Sequence, residues 1–140
     1  MYKRQHYNIA RTLLAQGHAG EAAEQYRAAL ALRPDWTPVI VEAAWLFATH
    51  PDARVRDPAL AISLAERGAA LTNRRDPVLL DVLAAAYAAS GGFEQAIAAA
   101  RAARDLIPNE SVVEQRLALY QQRRAFLDVL GSGPIKRTND

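Results

Sequence analysis

The residues able to do chemistry in this chain are few and far apart. The three histidines, His6, His18 and His50, are scattered. No two of them stand four apart on a helix, as a metal-binding pair would. His50, Asp52 and Asp57 share one long turn and could together meet a metal, but a capped, solvated turn accounts for them without one. The absence of cysteine removes disulfides, thiolate metal sites and cysteine nucleophiles at once. Ser63, Ser90, Ser111 and Ser132 lack a neighbouring base or a nucleophile elbow. No glycine-rich phosphate cradle occurs, because the glycines stand where helices should end. Asp35 and Glu42 have ordinary turn or helix contexts. No catalytic residue, cofactor or metal is expected, and the chain reads as a non-enzyme.

Composition narrows the classes further. The 140 residues are 51% hydrophobic and rich in alanine, with a formal net charge of +2. Alanine has the best helix propensity and lets helices approach closely. No long alternating pattern competes, so an all-α fold is expected. Arginine carries almost all the positive charge, spread among acids, which reads as a solvated surface. Tyr2-Lys3-Arg4-Gln5-His6 and the pair Arg74-Arg75 are too short for a nucleic-acid footprint, which clusters basic residues on one face. No apolar run approaches the roughly 18 residues needed to span a membrane, so direct membrane insertion is not expected. Nor does the N-terminus carry an apolar signal segment. It starts almost inside a helix, which suggests a cut point in a longer chain.

The elements that would position any site announce themselves by repetition. His6, Ile9, Ala10, Leu13, Gly17, Ala22, Tyr26, Ala29, Leu32 and Pro34 recur, at one constant offset, as Leu80, Leu83, Ala84, Tyr87, Gly91, Ala96, Ala100, Ala103, Leu106 and Pro108. Ile40, Ala43, Ala44, Phe47, Ala61 and Ala65 form a third copy between them, displaced by an enlarged turn from His50 to Pro58. Each copy is a helix pair, and a repeat of this period predicts a solenoid. The expected repeats cover about 3–36, 37–76 and 77–109. Asp57-Pro58 and Asp76-Pro77 read as an N-cap followed by a first-turn proline. Ser111 and Glu114 read as a capping box opening a final helix over about 110–130. Its Val113, Leu117, Tyr120 and Leu127 would cover the last apolar face, making 1–130 one domain. Residues 131–140, polar and rich in breakers, are expected to form a flexible tail.

This register resembles the tetratricopeptide repeat (TPR), whose signature spaces small, aromatic and proline positions over roughly 34 residues. The segment from Ala44-Trp45-Leu46 to Arg75-Asp76-Pro77, with the helix around Arg116-Leu117-Ala118-Leu119-Tyr120, is similar to a bacterial variant. That variant commonly lies near the end of longer proteins. The resemblance implies a right-handed α-solenoid of three helix pairs plus a capping helix. It also implies that the first helix of each pair lines a concave face. The outward positions there are Arg4, Tyr7, Asn8 and Arg11, then Val41, Trp45 and Thr49, then Asp81 and Ala85, with Gln115 on the cap. A ligand with an acidic group near Arg4 and Arg11 and an apolar anchor near Trp45 would suit this face. Some family members clamp a C-terminal carboxylate. Glu42 and Asp81 at the matching positions would repel one, so that ligand class is not expected.

The resemblance implies a scaffold that binds a peptide or helix of a partner protein and performs no catalysis. Two other readings remain open. One is self-assembly into a homo-oligomer through Ile9, Leu13 and Leu14. The other is an accessory domain of a larger bacterial membrane glycosyltransferase-like or kinase protein. The expected setting is cytoplasmic, or periplasmic if the chain belongs to a membrane-anchored protein.

Overall fold

The computed structural model describes residues 2–136. Among these, seven helices follow one another: α1 (Tyr2–Ala15), α2 (Ala19–Leu32), α3 (Thr37–Thr49), α4 (Pro58–Leu71), α5 (Pro77–Ala89), α6 (Phe93–Leu106) and α7 (Ser111–Gln121). They pair as α1 with α2, α3 with α4 and α5 with α6, and α3 packs onto α5 as well as onto α4. The result is an all-α right-handed solenoid with α7 closing its C-terminal end.

Local chemistry explains most boundaries. Asp57 accepts a hydrogen bond from the Leu60 amide and Asp76 from the Val78 amide, each ahead of a first-turn proline. These caps satisfy amides that have no partner within their own helix. Gly17 ends α1 at φ +83°, and the His18 amide reaches back 2.8 Å to the Leu13 carbonyl. Only a residue free of a Cβ adopts that left-handed turn without strain. The final helix departs from the expected cap. Ser111 is its first residue, and Glu110 accepts from the Val112 amide instead.

Small residues set the distance between paired helices. Ala10, Ala44 and Ala84 and their counterparts Ala22, Ala61 and Ala96 are all fully buried. Larger side chains there would force the helices apart. Gly68 marks a close approach between α4 and its neighbours. A Cβ added to it would lie 2.5 Å from Leu79 Cδ2 and 3.1 Å from Ile40 Cγ2, so α4 sits tightly on its neighbours.

The enlarged turn is structured by its own backbone and charges. The Asp57 amide donates to the Phe47 carbonyl (2.9 Å), and Val55 is buried beneath it. Arg56 donates to the carbonyls of His50 and Pro51. His50 Nδ1 accepts from the Asp52 amide, and Asp52 pairs with Arg54, which holds its carboxyl below the usual range. With Asp57 capping α4, all three candidate ligands of that turn have other engagements.

The C-terminal segment takes a course different from the expected one. Helix α7 stops at Gln121, well short of residue 130. Arg123 turns left-handed at φ +59°, and the Arg124 amide closes back onto the Leu119 carbonyl at 2.9 Å. The chain then runs without regular structure across the concave face to Ile135, which is buried. Leu127, expected on the apolar side of the helix, is exposed. The described part of the expected tail, residues 131–136, is therefore in contact with the solenoid. Residues 137–140 lie outside the described residues.

Candidate functional site: a concave groove in two halves

Helices α1, α3 and α5 present one side chain per turn toward the concave face. Their residues divide into an open N-terminal half and a covered C-terminal half.

The open half is organised around Glu42 on α3. Tyr26, buried on α2, donates its hydroxyl to Glu42 Oε1 at 3.0 Å, and Tyr7 on α1 donates to Oε2. Arg11 stands 3.7 Å from Oε1 and lies 5.6 Å over the Tyr7 ring. Burial, the hydrogen bond to Glu42 and its charge push the Tyr7 hydroxyl up to about 12. Burial and Glu42 also raise Tyr26. Tyr7 meets Trp36 edge-on at 5.2 Å, which fixes its ring. Arg4, Asn8 and Arg11 are exposed, and Val41 is half-buried beside them.

The covered half is built on a buried ion pair. Arg116 on α7 donates to Asp81 Oδ2 on α5, and their side chains are only 5% and 4% exposed. The Ile135 amide donates to the same carboxyl oxygen at 2.9 Å. Burial pushes the Asp81 carboxyl up, while Arg116 and the Ile135 amide act in the opposite direction. The Arg116 guanidinium lies over two adjacent rings, 4.8 Å from Trp45 and 4.7 Å from Phe126. Arg116 Nη2 also donates to the Gly133 carbonyl at 3.2 Å, whereas its Nε has no partner among the described residues.

Trp45 joins the two halves. Its indole Nε1 donates to Asp128 Oδ2 at 2.8 Å, and its ring packs on Phe126 at 5.8 Å. The Asp128 amide donates to the Thr49 carbonyl at 2.8 Å. The Asp128 carboxylate also accepts from the Ser132 and Gly133 amides, closing a tight loop. Burial opposes its charge, but Trp45, those amides and Arg116 outweigh it and hold the carboxyl below the usual range.

The crossing segment leaves a cleft on each side of it. One, of about 590 Å³, is bordered by Arg11, Leu14, Glu42, Trp45 and the exposed Val129-Leu130 pair. The other, of about 510 Å³, lies against α7 and includes Gln115, Leu119 and Phe126.

The structure thus gathers Tyr7 and Arg11 around Glu42, with Arg4 and Asn8 exposed on the same helix. It places Trp45, Thr49, Asp81 and Ala85 under cover, each at most 6% exposed. Asp81, expected to face the groove, is instead buried, paired with Arg116 and bonded by the Ile135 amide. Sequence reasoning missed Arg116, Phe126, Asp128 and Ile135 as groove residues. One signal was present: Arg116 falls in helical register with Val113, Leu117 and Tyr120, an apolar stripe. A charge on that stripe needs a buried partner, and Asp81 is the lone acid in the run from Val78 to Ala86.

Among the described residues, no group of three or more histidine, aspartate or glutamate side chains is placed to hold a metal. No described helix is long and apolar enough to cross a membrane. The helix pairs, the small-residue contacts and the lined concave face define a TPR-like helical repeat protein. No family model matches the chain, and no curated protein matches it. Among solved structures it is similar to the MamA RS-1 ArsTM double mutant, a TPR solenoid, with a TM-score of 0.74 and 22% identity. The likeness covers 86% of this chain and 65% of that one.

Proposed function

We propose that the chain is a protein-interaction scaffold and that the open half of its groove receives a peptide or helix of a partner protein. The observation that carries this reading is the cluster of Tyr7, Tyr26 and Arg11 on Glu42, of which Arg11, Tyr26 and Glu42 border the 590 Å³ cleft, with Arg4 and Asn8 exposed on the same helix as Arg11. An exposed arginine beside a cleft wall that includes an aromatic ring and aliphatic side chains has the composition of interface anchors. Arg4 and Arg11 favour an acidic group on the ligand, and Leu14 with Val129 and Leu130 favours an aliphatic one. No step of this activity needs a catalytic group or a cofactor.

A photo-crosslinking amino acid at Asn8, compared with one at the exposed Arg101 on α6, tests the reading in cells. Crosslinks to a partner from Asn8 alone, weakened by Arg11→Ala, are expected. Equal crosslinking from both positions would defeat it.

Homo-oligomerisation has one observation in its favour. Tyr2 and Ile9 on α1 are 67% and 46% exposed, an apolar surface at the N-terminal end of the stack. Light scattering over a concentration series separates a monomer from an assembly.

A further inference from the structure

The covered half of the groove is occupied by the chain's own C-terminal segment. The segment from Phe126 to Ile135 touches the solenoid on either side of the tight loop that Asp128 closes. Its backbone donates to Thr49 and Asp81 and accepts from Arg116. One aromatic side chain stacks on Trp45 and Arg116, one carboxylate accepts from the indole of Trp45, and one aliphatic side chain, Ile135, is buried. Main-chain bonds supply general affinity, and the three side chains supply selection.

Several features make this segment a removable strap rather than a structural element. It has no helix or strand hydrogen bonding of its own. Half of its residues are exposed, including Leu127, Val129 and Leu130. Gly131 and Gly133, both at positive φ, flank the point where it turns into the groove. The clefts on either side leave it flanked by open space. The solenoid beneath it is closed by contacts within and between helix pairs that do not include it.

We propose that the groove between α3, α5 and α7 is a recognition site for peptide segments carrying an aromatic residue two positions before an aspartate, with an aliphatic side chain further along. In the resting chain, residues Phe126–Ile135 hold that site. A partner segment of the same chemistry enters by displacing them. The inference rests on the peptide-groove reading above and extends it to the covered half, with a stated ligand class. Occupation by the strap lowers the partner's apparent affinity in proportion to the fraction of time the site is open.

The test uses the full chain and a fluorescein-labelled peptide with the sequence of residues 124–136. Phe126→Ala combined with Asp128→Ala removes two of the strap's three side-chain anchors, keeps Ile135, and leaves Trp45, Asp81 and Arg116 in place. This released chain is expected to bind the peptide at least tenfold more tightly than the unmodified chain, by fluorescence anisotropy. A peptide with alanine in place of its aspartate should bind at least tenfold more weakly than the parent peptide. Trp36→Phe leaves Trp45 as the sole indole. Its emission should shift red in the released chain and return when peptide is added. Should the double variant lose its helical circular dichroism, Asp128→Ala alone serves, with a smaller gain in peptide affinity expected. A folded released chain that ignores the peptide would overturn the inference, as would equal binding to the unmodified chain. Either result leaves the crosslinking test at Asn8 to decide the scaffold reading by itself.

Discussion

The two halves of the groove use the same chemical vocabulary in opposite states of solvation. Each centres on a carboxylate with an arginine and aromatic rings around it. In the N-terminal half, the Arg11 and Glu42 side chains are 63% and 32% exposed. In the C-terminal half, those of Arg116 and Asp81 are 5% and 4% exposed. The strap makes the difference, because Phe126 and Ile135 exclude water from the second cluster and leave the first open. Exposed ion pairs contribute little, since water and salt screen them. Buried ones are costly to form and costlier to break, since removing one partner strands the other charge. On the proposed reading, the open half is suited to exchange partners, and the covered half is committed until its occupant leaves.

The largest test of this contrast removes the arginine from each half in turn. Arg116→Ala leaves Asp81 buried without its counter-charge, and a loss of about 3–5 kcal/mol is expected. Arg11→Ala removes an exposed charge 3.7 Å from Glu42 and should cost less than about 0.5 kcal/mol. Urea unfolding followed by circular dichroism measures both. Similar losses for the two variants would break the comparison.

A gentler pair removes one hydrogen-bond donor from each half while keeping a ring. Trp45→Phe deprives Asp128 of its indole donor and should cost about 1–2 kcal/mol, with some loosening of the strap. Tyr7→Phe deprives Glu42 of one hydroxyl, but Tyr26 and water still serve that carboxylate. Its cost should be no more than about 0.5–1 kcal/mol. Thermal melts rank the two. A larger loss for Tyr7→Phe would mean that the open half is also structural.

How much of this contrast was legible in the sequence follows from where each signal resides. The helix pairs were legible because their determinants are local or periodic. Ala10, Ala44 and Ala84 recur in register, and Asp57-Pro58 and Asp76-Pro77 cap and start helices within three residues. The end of α7 was not. Gln121 to Ala125 contains no breaker and suits a helix, so propensity extends it. The helix stops where Phe126 and Asp128 can reach Trp45, and those partners lie some 80 residues away in sequence, as the Trp45–Asp128 bond illustrates. Contacts of that separation leave no periodic trace. The polar residues Gly131 to Pro134 suggest a loose tail for the same reason: the strap is held by its backbone amides and carbonyls, which every sequence has. Trp45 was read as a groove aromatic, but its burial under Phe126 depends on a segment whose course no local rule sets.

The smallest expected effects lie in pH, and they have opposite signs in the two halves. Asp128 has its carboxyl held below the usual range, so the stability it contributes is present above the unfolded value near 4. That contribution is lost as pH falls through the lower folded value. Asp81, raised by burial, works the other way: the folded chain takes up its proton more readily than the unfolded chain, so acid does not destabilise through it. Tyr7, pushed up to about 12, contributes stability that is full below the unfolded value near 10. That share is lost as pH rises from about 10 toward 12. Each half carries its own reporter, because Trp45 contacts the strap and Trp36 contacts Tyr7. With Trp36→Phe, emission from Trp45 should shift red on acidification below pH about 4 and stay constant between about 5 and 9. With Trp45→Phe, emission from Trp36 should hold through pH 10 and be quenched only as the Tyr7 hydroxyl ionises toward about 12. Glu42→Gln removes the charge that opposes this ionisation, so the quenching should move to lower pH. If Trp36 instead responds in acid together with Trp45, the halves are coupled through α3, and the division between an open and a strapped groove fails.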